Sequence, residues 1–315
     1  MKEAKYAQVA VGNINVDIYL YLGKYPSSGD STIANEAILS PGGSALNYAT
    51  AVASYGHASY LVGVTSANPF MDYVLSEVVD RGVNITYVRR IDGLPGLVIA
   101  LVVEGKAENT LIRYRGVNTF LTPNDVPKDL LSSVSLIHIA GADPNVSLEI
   151  LRRSMSLGVL STYDPGVGLM INREKVLEAV KSSSIVFLNR REALDLTKGD
   201  PQKLIDMGVE VVVIKKGAAG AYAITSSEVF YAIAKPIHRV VNTTGAGDAL
   251  AAFFNSVFLE SKDVGKALQY GVAAASLKTS CAWSIICFNK SALNKQLRES
   301  MVERLREPPS WVLED

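Results

Sequence analysis

The segment Asn242–Asp248 (NTTGAGD) contains the residue types that phosphoryl transfer requires. The apolar stretch that follows it, ALAAFFNSVF, predicts a buried helix, with Thr243 or Thr244 as its cap. Backbone N–H groups at a helix start attract anions, and the two glycines of the motif allow the tight turn that exposes those groups. Asp248 would lie beside this anion site, where a carboxylate accepts the proton of an attacking hydroxyl. A structural explanation fits equally well, because acidic residues favour the first turn of any helix.

Two further segments suit a ligand with several hydroxyl groups. Pro41–Asn47 (PGGSALN) leads into a predicted helix, and its glycine pair permits close approach of a ligand while Asn47 offers a donor and an acceptor. Asn15 and Asp17 follow the first predicted strand and share one face of an extended chain. Open α/β sheets bind ligands at such strand ends. Either segment taken alone is also explained as an ordinary turn.

Two strand-end motifs suit a nucleotide and its metal ion. Asn189 and Glu192, in the sequence NRRE, have a spacing that could organise water around Mg²⁺, an ion that keeps several of its waters. The same spacing predicts a helix capping box. Lys215–Gly220 (KKGAAG) combines lysines with a glycine-rich turn, which suits phosphates but is also common in β-turns.

The elements that would position these motifs alternate between strands and helices. Buried strands are predicted over Tyr6–Gly12, Ala58–Gly63, Leu136–Ala140, Val159–Tyr163, Ile185–Leu188 and Val209–Ile214. Helices are predicted over Ser44–Tyr55, Phe70–Arg81, Ser147–Leu157, Glu174–Lys181, Arg191–Thr197, Gly247–Leu259, Val264–Lys278 and Lys290–Leu305. This alternation predicts a mostly parallel sheet with helices on both faces. Tyr19–Leu39 and Gly96–Tyr114, the latter with a hairpin around Glu104–Glu108, lack helices and predict a small additional sheet, interpreted as a lid.

Composition excludes several classes of protein. The 315 residues include 31 Lys+Arg and 31 Asp+Glu, and this zero net charge argues against nucleic acid or an anionic membrane as a partner. The longest apolar run, Gly96–Val103, is far shorter than the roughly 20 residues of a membrane span. Without a signal-peptide pattern at the N-terminus, we expect a cytoplasmic protein. Cys281 and Cys287, the only two cysteines, are expected to be small buried hydrophobic residues, with a disulfide as the alternative.

Taken in order, NINVD, PGGSALN, GVNTFLTPNDV, NRRE, KKGAAG and TTGAGD resemble the motifs of the PfkB-type (ribokinase-like) carbohydrate kinase family, over about Ala7–Ser291. The resemblance implies an α/β fold: a ribokinase-like three-layer α/β/α sandwich with a mostly parallel central sheet and a small β-sheet lid. We expect one kinase domain over 1–315, with the lid formed by about 13–40 and 93–117. The resemblance also implies transfer of the γ-phosphoryl group of ATP to a hydroxyl of a small sugar, with Mg²⁺.

The resemblance further implies roles for individual residues. Asp248 matches the catalytic base, and the backbone N–H groups of Gly245, Ala246 and Gly247 match the anion hole. Positions that match the sugar site are Asn15, Asp17, Gly42, Gly43 and Asn47. Positions that match the nucleotide site are Asn189, Glu192, Lys215, Lys216, Gly217, Gly220 and Thr244, with Glu192 binding Mg²⁺ through water.

The chain departs from the family pattern at several positions. Asn242 stands where potassium-activated relatives have an aspartate that helps to bind a monovalent cation, so we expect no strong potassium activation. Cys281–Trp283 replaces a Gly-Ala segment near the nucleotide base, which leaves the preferred phosphoryl donor open. Arg113, in the sequence RYRG, either contacts a carboxylate or phosphate on the substrate or is a solvated lid residue.

Alternative functions follow from the same residues. A nucleoside kinase of this family would need an apolar shelf for the base, which Ile99, Leu101 and Tyr114 could supply. A sugar-binding sensor without catalysis is a weaker alternative, because Asp248 and the GAG segment are intact. A dinucleotide-dependent oxidoreductase is weaker still, since Leu250 stands where the fingerprint requires a small residue. A homodimer through the apolar lid is also expected.

Overall fold

The computed structural model describes residues 5–103 and 110–306. Its strands are β1 (Ala7–Gly12), β2 (Asn15–Leu22), β3 (Glu36–Gly42), β4 (Ala58–Ser66), β5 (Val83–Ile91), β6 (Gly96–Val103), β7 (Thr110–Tyr114), β8 (Leu136–Ala140), β9 (Leu160–Asp164), β10 (Ile185–Asn189), β11 (Val211–Lys215), β12 (Ala221–Ile224), β13 (Val229–Ala234) and β14 (Ser300–Leu305). Its α-helices are α1 (Ser44–Tyr55), α2 (Phe70–Asp80), α3 (Lys128–Ser133), α4 (Pro144–Ser156), α5 (Gly168–Ile171), α6 (Arg173–Lys181), α7 (Arg190–Thr197), α8 (Gln202–Asp206), α9 (Ala246–Ser261), α10 (Val264–Lys278) and α11 (Lys290–Arg298).

Ten strands form the large sheet, in the order β14-β13-β12-β11-β10-β9-β8-β1-β4-β5. From β11 to β5 the neighbouring strands are parallel, while β12, β13 and β14 are added antiparallel at the other end. Continuous Val- and Ile-rich runs such as VVVIK in β11 are buried on both faces, as strands of a covered parallel sheet must be. The predicted mostly parallel sheet is confirmed.

Helices cover both faces of this sheet. One buried hydrophobic cluster joins the sheet to α1, α2, α9 and α10. A second cluster joins the other face to α3, α4, α6, α7 and α8. The α9 helix is almost entirely buried because its residues are apolar on all sides. The predicted three-layer arrangement is therefore confirmed. Within the part of the chain that the structure describes, no helix is both long and apolar enough to cross a membrane.

Four strands form the small sheet, in the order β3-β2-β6-β7. Asp17 of β2 pairs with Val98 of β6, which in turn pairs with Arg113 of β7. Directly paired residues share a face, so Asp17 and Arg113 lie on the same side of the small sheet. The hairpin expected around Glu104–Glu108 lies outside the described residues.

The same register decides the position of the apolar residues Ile99, Leu101 and Tyr114. Ile99 and Leu101 alternate with Val98 along β6, and Tyr114 pairs with Leu97. All three therefore lie on the face opposite Asp17. The interpretation of these residues as a shelf for a base bound beside Asp17 is wrong.

The predicted helix over Lys290–Leu305 is correct only in its first half. Helix α11 ends at Arg298, and Ser300–Leu305 is the edge strand β14, which pairs with β13 along its whole length. The sequence SMVERL has both helix and strand character, and pairing with an available sheet edge decides between them. Strands β5, β12 and β13 were not predicted either: β12 has only four residues, and β5 and β13 are only partly buried.

Cys281 and Cys287 form a disulfide, so the expectation of two unpaired hydrophobic cysteines is wrong. Their separation of six residues closes a small loop after α10. Cys281 is 1% exposed, whereas Cys287 lies at the surface. The bond therefore ties a surface position to the core next to the end of α10.

Reducing this disulfide should lower the free energy of unfolding by about 2 kcal/mol, because a cross-link restricts the unfolded chain even when the loop that it closes is short. Urea unfolding with and without dithiothreitol measures the effect. The double variant Cys281→Ser/Cys287→Ser is the control, and its unfolding should not respond to the reductant. Equal stability of the oxidised and reduced wild-type protein would contradict the prediction.

Candidate active site

Two helices begin near each other, and each is directly preceded by a glycine with positive φ. Helix α9 is preceded by Gly245 at φ 84°, and helix α1 by Gly43 at φ 99°. A Cβ at Gly245 would lie 1.9 Å from the carbonyl oxygen of Ser284, and one at Gly43 would lie 2.3 Å from that of Asn13. Only glycine fits either position, because backbone occupies the space and because L-residues disfavour this conformation. The glycines therefore allow the start of α9 to pack against the backbone of Ser284 and the start of α1 to pack against that of Asn13.

The cap of α9 differs from the prediction. Neither threonine side chain caps the helix, and Gly245 is the N-cap residue. The N–H of Thr244 donates instead to Oδ1 of Asn242 at 2.9 Å, and the N–H of Ala246 donates to the carbonyl oxygen of Thr243 at 3.2 Å. The polar side chain that orders this turn is therefore that of Asn242.

Asp248 lies in the first turn of α9 and accepts a hydrogen bond of 2.8 Å from Nδ2 of Asn47 in α1. The Oδ1 atom of Asn47 accepts from the hydroxyl of Ser284 at 3.1 Å, which also donates to the carbonyl oxygen of Pro41 at 2.8 Å. Burial raises the pKa of Asp248 to about 6, against the lowering effects of the Asn47 bond and of Lys215 and Lys278. A carboxyl with this pKa is ionised at neutral pH and is also a usable proton acceptor.

Asp17 is buried near Asp248 and Ser284, both of which affect its pKa. It is 2% exposed, and its Oδ2 accepts from the Tyr19 hydroxyl at 3.4 Å, while Oδ1 has no hydrogen-bond partner among the described residues. Burial raises the pKa of Asp17 to about 7, and the negative charge of Asp248 adds to the rise. A Cβ at Gly42 would lie 2.1 Å from Cγ of Asp17, so glycine is required for the carboxylate to lie there.

Asn15 and Gly96 form the neighbouring part of this pocket. The Oδ1 atom of Asn15 accepts from Nδ2 of Asn118 at 2.8 Å, and Oδ1 of Asn118 in turn accepts from the N–H of Ile14 at 3.0 Å. A Cβ at Gly96 would lie 2.0 Å from the Asn118 amide and 2.2 Å from Asn15. The orientation of Asn15 is therefore fixed by Asn118.

A group of charged residues lies at the carboxyl ends of β9, β10 and β11. The Nζ atom of Lys215 donates to Asp164 at 2.5 Å, in a pair whose side chains are only 15% and 10% exposed. A Cβ at Gly247 would lie 3.4 Å from the same Nζ, which places Lys215 beside the start of α9. Burial and the charge of Asp164 raise the pKa of Glu192 to about 7, and Lys215 opposes that rise.

Asn189 and Glu192 form the capping box of α7. Oδ1 of Asn189 accepts from the N–H of Glu192 and Oε2 of Glu192 accepts from the N–H of Asn189, both at 2.8 Å. The structural explanation of this motif is therefore confirmed, while its expected role toward Mg²⁺ stays a prediction. The KKGAAG segment forms an exposed 3-10 turn at Gly217–Ala219, closed by a bond of 2.9 Å from the N–H of Lys216 to the carbonyl oxygen of Gly220.

Sequence reasoning missed four residues of this region: Asn118, Asp164, Lys278 and Ser284. Asp164 had a detectable signal, since it directly follows the predicted strand Val159–Tyr163 and the neighbouring strand β10 ends in the candidate residue Asn189. Ser284 and Lys278 had none, because only the folded chain brings them to the start of α9.

A model of the pfkB family of carbohydrate kinases matches residues 7–291. The ATP-dependent ribose-1-phosphate kinase of Halopiger xanaduensis is 27% identical over 271 residues, which cover 85% of this chain and 90% of that protein. The nucleoside kinase of Methanothermobacter thermautotrophicus is 26% identical over 273 residues, covering 85% and 87%. The structure of Arabidopsis thaliana ribokinase complexed with ribose and ATP superimposes with a TM-score of 0.80 at 23% identity, covering 93% of this chain and 99% of that one.

Fold and family model agree on the class of protein, a sugar or nucleoside kinase with the ribokinase fold. The chain belongs to the pfkB family of carbohydrate kinases.

Removing the Asn47 amide should raise the pKa of Asp248, because a hydrogen bond to a carboxylate favours its charged form. In Asn47→Ala we expect the pKa to rise from about 6 by about one unit, since such a bond contributes about 1.5 kcal/mol or more. Carbon-detected NMR titration of the aspartate carboxyls measures the shift. Ser54→Ala, an exposed change on the same helix, is the control. An unchanged titration of Asp248 in Asn47→Ala would contradict the prediction.

Proposed function

We propose that this protein transfers the γ-phosphoryl group of ATP to a hydroxyl of a small sugar, with Asp248 as the base. The observation that carries the proposal is the position of Asp248, a carboxylate in the first turn of α9 that the Asn47 amide orients. First-turn N–H groups have no partner within their helix and attract an anion. A base and an anion site on the same turn suit attack of a hydroxyl on a phosphoryl group.

Asp17 and Asn15 hold the acceptor sugar in this proposal, together with Gly42, Gly43 and Asn47. The buried Oδ1 atom of Asp17 has no partner among the described residues, and a sugar hydroxyl would supply the missing donor. A side chain at Gly42 would collide with the Asp17 carboxylate and one at Gly43 with the Asn13 backbone, so both glycines are needed for Asp17 and the start of α1 to lie this close together. The sugar hydroxyl nearest Asp248 would give up its proton to that carboxylate as the new O–P bond forms.

The donor phosphates contact the start of α9 and the nearby lysine. The N–H groups of Gly245, Ala246 and Gly247 form the anion hole, in which Ala246 exchanges its bond to Thr243 for the phosphoryl oxygen. Lys215, beside Gly247, adds positive charge at the same point. Lys216, Gly217, Gly220 and Thr244 contact the rest of the nucleotide, and the exposed turn of the KKGAAG segment leaves room for it.

The residues at the carboxyl ends of β9 and β10 fit a hydrated Mg²⁺. The charge of Asp164 raises the pKa of both Glu192 and Asp248, and the charge of Lys215 lowers both. The described residues contain no cluster of three or more ligands suited to bind a bare metal ion. An ion that keeps most of its waters suits such a site, with Glu192 and Asn189 holding those waters. Mg²⁺ bound there would offset the charge of the donor phosphates.

Asp248→Asn should lower kcat by about 10²–10⁴ because the amide cannot accept the proton. The KM for the sugar should stay within about threefold, since the variant keeps the shape of the side chain. Steady-state assays of ADP formation with ATP and a panel of sugars measure both constants.

The matched control is Asp17→Ala, which removes a carboxylate from the sugar pocket rather than from the helix start. Its main effect should be a higher KM for the sugar. Near-normal kcat in Asp248→Asn would rule out Asp248 as the base, and an unchanged KM in Asp17→Ala would count against the proposed sugar site.

A phosphorylated pentose is the second candidate acceptor, and Arg113 favours it. Arg113 lies on the same face of the small sheet as Asp17, and its charge lowers the pKa of that carboxyl. Arg113 is exposed and belongs to no ion pair among the described residues, so its guanidinium can contact a phosphate. The relative from Halopiger xanaduensis is named as a ribose-1-phosphate kinase. A nucleoside acceptor has less support, because Ile99, Leu101 and Tyr114 lie on the opposite face.

Arg113→Ala separates the two acceptors. If a phosphopentose is the substrate, its KM should rise by about 10-fold or more, because a charge-assisted contact is lost, while turnover of a free pentose should stay the same. Assays of pentoses, phosphopentoses and nucleosides with ATP and with other donors measure this. Arg152→Ala, an exposed arginine on α4, is the control. Equal phosphopentose kinetics in wild type and Arg113→Ala would remove the second candidate.

The small sheet, within about 13–40 and 93–117, is proposed as a lid over the acceptor in a single kinase domain of 1–315. Its outer face carries exposed Leu39, Ile112 and Tyr114, which supports the expected homodimer through the lid. The cytoplasmic location and the absence of a nucleic-acid partner stay predictions.

A further inference from the structure

Lys278, the last residue of α10, is completely buried. Its Nζ donates to the carbonyl oxygen of Asn242 at 3.0 Å, which is its one hydrogen bond within the part of the chain that the structure describes. No carboxylate of that part lies within 4.0 Å of the Nζ, so the ammonium has no direct ion pair. Burying a charge costs free energy unless other groups compensate for it. For the Lys278 ammonium, the compensating polar and charged groups must lie around Asn242, the residue that it contacts.

Asn242 begins the loop that leads to the start of α9, and three sets of bonds fix it. Its N–H and that of Val241 donate to the carbonyl oxygen of Thr279, at 3.0 and 2.7 Å. Its Nδ2 donates to the carbonyl oxygen of Ala282 at 2.8 Å, and its Oδ1 accepts from Thr244. The Lys278 ammonium completes this set by holding the Asn242 carbonyl. The loop is thus attached to the end of α10 through Lys278 and Thr279, and to the segment that follows it through Ala282.

The charged groups around the ammonium are the carboxylates of Asp17 on β2 and Asp248 on α9. Both favour the charged form of Lys278, while burial opposes it and lowers its pKa to about 7. In return, the Lys278 charge lowers the pKa of Asp248, on which Lys215 acts in the same direction and Asp164 in the opposite one. Lys278 therefore acts on both carboxylates through space, without forming an ion pair with either.

We propose that Lys278 is a positioning residue whose buried ammonium is a built-in cation of the active site and holds the loop from Asn242 to Gly245 through the Asn242 carbonyl. A diffusible monovalent cation would need the same environment, a buried site with a carbonyl oxygen. Here the ammonium of Lys278 is the cation, and it is part of the chain. Wild-type activity should therefore be independent of added potassium or ammonium at constant ionic strength. The catalytic consequence rests on the proposed function, whereas the effect on Asp248 does not.

The test is Lys278→Met, which keeps an unbranched side chain of similar length without the charge. We expect kcat to fall by at least about 10-fold, since loss of one anion-hole donor lowers kcat by about 10²–10³ and Lys278→Met would only disturb the loop that carries the donors. The KM for the sugar should stay within about threefold. In the protein without substrates, the NMR titration of Asp248 should move to higher pH by about half a unit. Lys266→Met, an exposed lysine on the same helix, is the control and should change neither quantity.

A purely structural role predicts a different result, namely lower stability with an unchanged titration of Asp248. That result, or normal kcat together with an unchanged titration, would overturn the proposal. If Lys278→Met does not fold, Lys278→Ala assayed with ammonium or methylammonium chloride replaces it, and recovery of activity by the added cation but not by sodium is the expected outcome. If the wild-type protein phosphorylates no acceptor, the proposed function fails, and the Asp248 titration still decides the inference about Lys278.

Discussion

The hydrogen bond between Asn47 and Asp248 joins the starts of two helices that are far apart in the chain, and the rest of the site depends on it. It can form only if α1 and α9 begin side by side, which requires positive-φ glycines at Gly43 and Gly245. The third component is Ser284, whose hydroxyl holds the other end of the Asn47 amide and whose carbonyl lies against Gly245. A base is therefore oriented by an amide that is itself fixed at both ends, as a preorganised site requires.

Charge is distributed very unevenly in a molecule that is neutral overall. The 31 basic and 31 acidic residues cancel, yet Asp17, Asp164, Glu192 and Asp248 are gathered with Lys215 and Lys278 in one region around the start of α9. Burial raises the pKa of three of these carboxyls, because removal from water disfavours the charged form of each. Such an arrangement suits a ligand that brings both negative phosphates and a cation.

The sequence predicts those parts of the structure that depend on local patterns. Long apolar runs such as β11 and the largely apolar α9 were predicted because burial on every side requires a nearly continuous hydrophobic stretch. The strand Ser300–Leu305 was missed because its conformation is decided by the free edge of β13, a long-range partner. The motifs of the candidate site carry glycines and polar residues at strand ends and could be found, whereas Ser284 and Lys278 stand in a loop and at a helix end with no pattern of their own. Contacts between distant segments are the information that local periodicity lacks.

The disulfide makes the loop between Cys281 and Cys287, which contacts the candidate active site, sensitive to thiols and oxidants in the surroundings. Ala282 and Ser284, which contact Asn242 and Asn47, both lie inside the loop that Cys281 and Cys287 close. Cys287 is exposed, so thiols in the surrounding solution can reach the bond. The redox potential of the compartment then determines whether this loop stays cross-linked. Intracellular disulfides persist in hyperthermophiles but are rare in ordinary cytosol.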